Sequence, residues 1–291
     1  MYKRFKKLAG AVALIAFCAT SLAGPVVIDG TDANDHGSVS GGANQSGWRY
    51  MQLTLQSLAP AVGNGNMIVV DLGTTGGQAR AAINSAFNLS TLVSAGWTLV
   101  NISGSANIAS YLAGNTVNGV SLATTGIMAM ASFNNSSGDL DAASMAAINV
   151  GAAAIANFVG GAGNPLAGGG LFSMAQSGTG AYGWLTTLIS GIVPVDVGTG
   201  GISNPINLTA AGMAAFPGLT NADLSSGPWH GHFQGNLGGL SVLGQSQGRA
   251  VIIGGGAGTI IGPTVPENGA SIGMLALALA AVAGLRRKFG V

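Results

Sequence analysis

"NMIVVDLG" (66–73) decides the reading of the fold. It is a short apolar run closed by a glycine, the pattern of a strand buried on both faces. The same pattern recurs around it. "PVVIDG" (25–30) is apolar and ends in Asp-Gly, and "WTLVNISG" (97–104), "GIMAMASF" (126–133) and "GGLFSMAQSG" (169–178) read as further strands. Helical patterns fall between them. "WRYMQLTLQSLA" (48–59) places Trp48, Met51, Leu55 and Leu58 at helical spacing, "QARAAINSAFNLSTLVSAG" (78–96) stops at Gly96, "SANIASYLAG" (105–114) is short, and an Ala-rich helix is predicted from about 139 to 158.

Strand and helix in alternation, joined by glycine-rich turns, predict an α/β protein. The expected form is a doubly wound, mostly parallel sheet of flavodoxin type. A β-sandwich is the alternative, because Gly/Ser/Thr-rich secreted chains often form one. "DANDHGSVSGGANQSG" (32–47) reads as a polar loop, "AYGWLTTLISG" (181–191) and "TAAGMAAFPGL" (209–219) as short helices or turns, and "GLSVLGQS" (239–246) and "RAVIIGGGAG" (249–258) as closing strands. "GNPLAGGG" (163–170) is the best internal breakpoint, but strands continue past it, so one domain is expected.

Only 7% of the 291 residues are charged, against roughly 25% in an average soluble domain. The near-neutral total hides an uneven distribution. Lys3, Arg4, Lys6 and Lys7 crowd one end, and Arg286, Arg287 and Lys288 the other. From Gly24 to Val265 there are eight Asp, no Glu and three Arg, a balance of −5. Binding to nucleic acid needs several cations placed against phosphates, which three scattered arginines do not provide.

The first residues have the order of a secretory signal: "MYKRFKK", the apolar "LAGAVALIAFCATSLA", then a cleavage site after Ala23. Such a leader is read by the Sec translocon and signal peptidase. Cys18, the only cysteine, lies inside it, so the mature chain is expected to have no disulfide and no thiolate chemistry. At the other end, Ala270 to Leu285 carries no charge. As a helix it would span about 24 Å, enough to cross a membrane with local thinning. The basic cluster Arg286, Arg287, Lys288 would stay cytoplasmic and the body outside. The expected division is a signal peptide (1–23), an exported α/β domain (24–262) and an anchoring tail (263–291) with a transmembrane helix over 270–285.

Val265-Pro266-Glu267, the apolar stretch and the basic end, in that order, resemble the PEP-CTERM sorting signal of Gram-negative bacteria. Asn268 stands where that family usually has a second proline. The resemblance implies anchoring in the inner membrane, processing by an exosortase-type enzyme near the Pro-Glu pair, and release to the cell surface or an extracellular exopolysaccharide matrix. The body carries a second resemblance. Its early "VVIDG", its strand–helix alternation and "LTAAGMAAFPGLTNADLSSGPWHGHF" (208–233) are similar to the class I glutamine amidotransferase-like fold, in particular its trehalose-utilisation (ThuA-like) branch. The amidotransferases use a cysteine at a strand-to-helix elbow, which this body lacks, so no glutaminase activity is expected.

The remaining polar residues gather in two places. "DGTDANDH" (29–36) holds Asp29, Asp32, Asp35 and His36, and "WHGHF" (229–233) holds His230 and His232. In a parallel sheet the loop after the first strand opens on the crevice where ligands bind. Imidazoles and carboxylates brought together there could bind a divalent metal or move protons near neutral pH. Asp29, Thr31, Asp32, Asn34 and Asp35 also form an oxygen-rich loop of the kind that takes Ca2+, without the EF-hand spacing. The chain has no G-x-S-x-G elbow and no Walker lysine, and no cofactor is predicted. The four tryptophans, Trp48, Trp97, Trp184 and Trp229, are expected in the core. The sequence therefore points to an exported surface or matrix protein without catalysis. The alternative is a metal-assisted hydrolase or carbohydrate-binding module built on the Asp/His cluster.

Overall fold

The computed structural model describes residues 24–133, 138–160, 168–178 and 180–255. The predicted signal peptide, the Val265–Glu267 motif, the 270–285 helix and the basic tail lie outside these residues. The described chain is a mixed α/β protein with helices on both faces of one large sheet, not a β-sandwich.

The chain opens with strand β1 (Val26–Asp29), followed by a hairpin of β2 (Gly37–Ser40) and β3 (Ala43–Ser46). The hairpin replaces the loop expected there. Helix α1 (Gly47–Leu58) leads to β4 (Ile68–Leu72), α2 (Gly77–Asn88) to β5 (Thr98–Ile102), and α3 (Ser105–Leu112) to β6 (Ile127–Met130). α2 ends before the predicted stop at Gly96, and the chain reaches that glycine through turns. The long Ala-rich helix is two helices, α4 (Ala142–Val150) and α5 (Ala152–Val159), bent by 61°. Gly151 sits at the bend, where a Cβ would lie 2.4 Å from the Leu112 side chain. Next come β7 (Gly170–Ser173), α6 (Leu185–Leu188), β8 (Ile192–Asp196), β9 (Asn207–Leu208), α7 (Ala210–Ala215) and α8 (Asn221–Leu224). β10 (Gly231–Gly235), β11 (Ser241–Ser246) and β12 (Arg249–Gly255) close the described chain. Among the described residues no single helix is long and apolar enough to cross a membrane.

The sheet runs β5-β4-β6-β7-β1-β12-β10-β8, with β11 also on β12 and β9 on β11. The five strands from β5 to β1 are parallel. From β12 onward every pairing is antiparallel. Parallel strands must be joined by crossovers, and the helices supply them. Chain segments moving toward β5 place α1 and α2 on one face, and those moving back toward β7 place α3, α4 and α5 on the other. One hand of crossover therefore serves both directions.

Alternation along each buried strand feeds the two cores. Val69 joins the α1/α2 side, and Val70 and Leu72 the other. On α1, Tyr50, Met51, Leu55 and Leu58 are fully buried, and Met51, Leu55 and Leu58 each contribute about 1.5–3 kcal/mol by transfer from water. Tyr50 meets Phe172 and Phe216 edge-on at 5.9 and 5.4 Å. Trp184 and Trp229 are fully buried as expected, and Trp48 and Trp97 pack against the core on the α1/α2 side.

Candidate functional site

The carboxyl ends of β1 and β7 and the approach to β10 meet at one corner of the sheet. Gly30 makes this possible. Its N–H donates to Val251 O at 2.8 Å, and its carbonyl accepts from His230 N at 2.6 Å. A Cβ on Gly30 would stand 1.9 Å from Gly231 O, so only glycine allows the two backbones to lie this close. Thr31 and Trp229 form the adjoining antiparallel bridge. This contact carries His230 to the loop after β1.

His230 Nε2 lies 3.0 Å from Asp32 Oδ2, and His36 Nε2 lies 3.0 Å from the same oxygen. Asp32 and His230 are buried; the His36 side chain is 35% exposed. His36 is brought round by a turn in which Asp35 N donates to Asp32 O, and its ring packs on Gly227, where a Cβ would strike it at 2.2 Å. The second nitrogen of His230, Nδ1, lies 3.0 Å from Gly198 O. Both nitrogens of this ring thus face acceptors, the arrangement that suits an imidazolium.

Burial pushes the Asp32 carboxyl up, but hydrogen bonds from His230 and His36 outweigh it and hold the group at about 2. The Asp32 bond raises His36 against a smaller effect of burial. At His230 burial works against the charge, and Asp32 more than offsets it. Asp35 favours the charge on both rings through space. Its neighbour Asn34 donates to Asp139 Oδ1 at 2.7 Å. Asp29 sits deeper, with both oxygens taken by Thr31: Oδ1 by the backbone N–H at 2.7 Å and Oδ2 by the hydroxyl at 2.6 Å. Burial raises its carboxyl to about 8, with the two Thr31 bonds opposing.

His232 does not join this group. Its Nε2 lies 3.0 Å from Gln234 Nε2, its ring meets Trp229 edge-on, and burial followed by the Arg249 charge lowers its pKa. Asp32, His36 and His230 therefore come together, Asp29 and Asp35 flank them, and His232 serves β10. Among the described residues no group of three or more His, Cys, Asp or Glu side chains is disposed to hold a metal ion. The space beside the cluster, bounded by Thr31, His36, Tyr50, Asp223 and Ser226, is about 10 Å³, room for one water molecule.

Two buried polar groups at the same end of the sheet went unrecognised in the sequence. Gln176 Oε1 accepts from Tyr182 N and Trp184 Nε1, both at 3.0 Å, and Tyr182 Oη donates to Asp29 O at 2.9 Å. Asp71, on β4, accepts from Asn101 Nδ2 at 2.7 Å and from the Thr74 hydroxyl, with Arg80 Nε at 3.5 Å. Burial lifts Asp71 to about 6, with Thr74 and Asn101 opposing. A carboxylate inside the apolar "MIVVDL" was the available signal for the second group. Comparison with known proteins returns no match to a family model, a curated protein or a solved structure.

Proposed function

We propose that the chain is an exported protein of the cell surface or extracellular matrix, whose body has a binding or structural role without catalysis. In this reading Ala23–Gly24 is the leader cleavage site. The 270–285 segment holds the chain in the inner membrane until an exosortase-type enzyme processes it near Val265, Pro266 and Glu267. The order β5-β4-β6-β7 about β4 supports a flavodoxin-type body with β1 in the fifth position, which is also compatible with an amidotransferase-like ancestry. One observation carries the non-catalytic part. The Asp32 carboxylate has two imidazoles on one oxygen, and the space beside them is about 10 Å³, the size of one water molecule. Intact masses of the native protein in membrane and extracellular fractions test the sorting. A released species lacking 1–23 and the tail beyond about Glu267 is expected; a membrane species retaining Val291 would mean a permanent anchor and end the sorting reading.

The convergence of His36 and His230 on Asp32 favours a second reading, a divalent-metal site for hydrolysis. Metal would replace the shared protons, so Zn2+ should raise the melting midpoint of the wild-type protein and not of a His36→Ala/His230→Ala variant. No shift in either would dismiss it.

A further inference from the structure

A groove of about 460 Å³ runs between β3 and α1, lined by Asn44, Gln45, Arg49, Gln52, Leu53 and Gln56. That volume falls within the usual range for small-molecule sites. The groove lies apart from the Asp32 cluster, and none of its lining residues is a carboxylate. Its carboxamides form a directed relay. Ser85 Oγ donates to Asn44 Oδ1 at 2.6 Å, Asn44 Nδ2 to Gln52 Oε1 at 2.9 Å, and Gln52 Nε2 to Gln56 Oε1 at 3.0 Å. The remaining amide hydrogens of Asn44 and Gln52 go to Ser85 O and Leu89 O. Every polar atom of these two side chains is spoken for, so their orientation is fixed. The relay ends on Gln56 Nε2, whose two N–H groups have no partner among the described residues, and hydrogen bonds in series polarise such an end donor. Gln45 donates its amide to Ala43 O at 3.2 Å and keeps its carbonyl oxygen as an unspent acceptor.

A relay-oriented donor on Gln56 and a carbonyl acceptor on Gln45, both lining the groove, match a ligand whose groups each donate and accept, which is the property of hydroxyls. An anion would use only the donors. Arg49 commits one N–H to Gly218 O at 2.6 Å, and Asp223 Oδ2, 3.6 Å from its guanidinium, offsets its charge. The −5 balance of the body also opposes anions. We infer that the β3–α1 groove binds a neutral polysaccharide, with Gln56 donating to and Gln45 accepting from its hydroxyls, and Leu53 meeting the sugar's C–H face. This deepens the matrix reading and rests on it for its biological setting. With the tryptophans in the core, no aromatic platform lines the groove, so affinity per site is low and comes from these amides.

Calorimetric titration of the full-length protein in detergent with cellohexaose, maltohexaose and laminarihexaose tests this, with oligogalacturonate as the charged comparator. At least one neutral hexasaccharide should bind with a Kd of about millimolar order, and oligogalacturonate should not. Gln56→Ala should weaken binding about tenfold, the effect of one lost hydrogen bond, with an unchanged melting midpoint. Gln45→Ala provides a second variant outside the relay. The inference is overturned by no binding of any neutral hexasaccharide, by preference for the charged one, or by unchanged affinity in the Gln45→Ala/Gln56→Ala protein. These readouts do not depend on how the termini are processed, so the groove and the sorting can fail separately.

Discussion

His230 Nε2 and Asp32 Oδ2 stand 3.0 Å apart although 198 positions separate them in the chain. The bond ties the loop after the first strand to the approach to the tenth, and Gly198 O on the other side of the ring adds a third segment. Removing one member of a buried charged pair leaves the other without compensation. Asp32→Ala should therefore cost about 3 kcal/mol in urea unfolding at pH 6, whereas Asp35→Ala should cost under about 1 kcal/mol. Equal costs would mean that the cluster is not a structural tie.

Stability should be greatest in mild acid. His36 and His230 are raised, so their contribution is complete below about 6.5 and is lost as pH rises through their folded values. Asp29 and Asp71 are raised from 3.8 to about 8 and about 6. The folded chain keeps protons there that the unfolded chain releases above 3.8, so stability falls as pH climbs toward 8. Asp32, lowered to about 2, acts oppositely, and its share disappears as pH drops below 3.8. The melting midpoint should peak at about pH 4, where the Asp32 contribution is complete and the Asp29 and Asp71 losses begin, and decline toward about pH 8. Asp29→Asn should flatten that decline. A midpoint rising from pH 5 to 8 would contradict the assignment.

Gly30→Ala introduces a methyl group where Gly231 O would lie 1.9 Å away. Backbone on both sides limits relief, so a loss of about 2–4 kcal/mol is expected. The change should also free His230 from Asp32, visible as a fall of the His230 pKa toward 6.5 by NMR titration. An unshifted His230 would show that the two backbones can part without disturbing the site.

Gln176→Leu keeps the volume but strands Trp184 Nε1 and the Tyr182 backbone N–H in the interior. Each unsatisfied donor costs about 1–3 kcal/mol. Denaturant unfolding should show a loss in that range or above, and indole N–H exchange at Trp184 should quicken. A variant as stable as wild type would mean that water replaces the amide.

The interior of the parallel half was legible because β4, β6, β7 and β1 are buried on both faces, so composition alone reveals them: Val69, Val70 and Leu72 show no alternation to misread. The antiparallel half was harder. β8 contains Pro194, and β10 is bracketed by Gly231 and Gly235; what makes them strands is pairing with each other across a long stretch of chain. The β2–β3 hairpin is polar and largely exposed, which erases hydrophobic period, yet its Gly41-Gly42 turn, both with positive φ, was a readable signal. The break at Gly151, between Val150 and Ala152, was hidden inside an Ala-rich run of helical spacing; Leu112 from α3 packs against the glycine there. Likewise, the sequence collected Asp32, His36 and His230. It could not say that His232, two residues on, turns to Trp229, because that follows from where Gly30 seats the backbone.

β1 lies between β7 and β12, so the first strand of the body is flanked by its fifth parallel strand and by the last described strand of all. A chain delivered amino end first exposes Val26–Asp29 early and obtains the second neighbour only when Arg249–Gly255 has emerged. Local helices can form meanwhile, but closing the sheet waits for β12, a long-range pairing that slows folding. Throughout that interval a short, apolar, unpaired edge is available to neighbouring chains. Until β12 arrives, folding copies are exposed to one another along this edge.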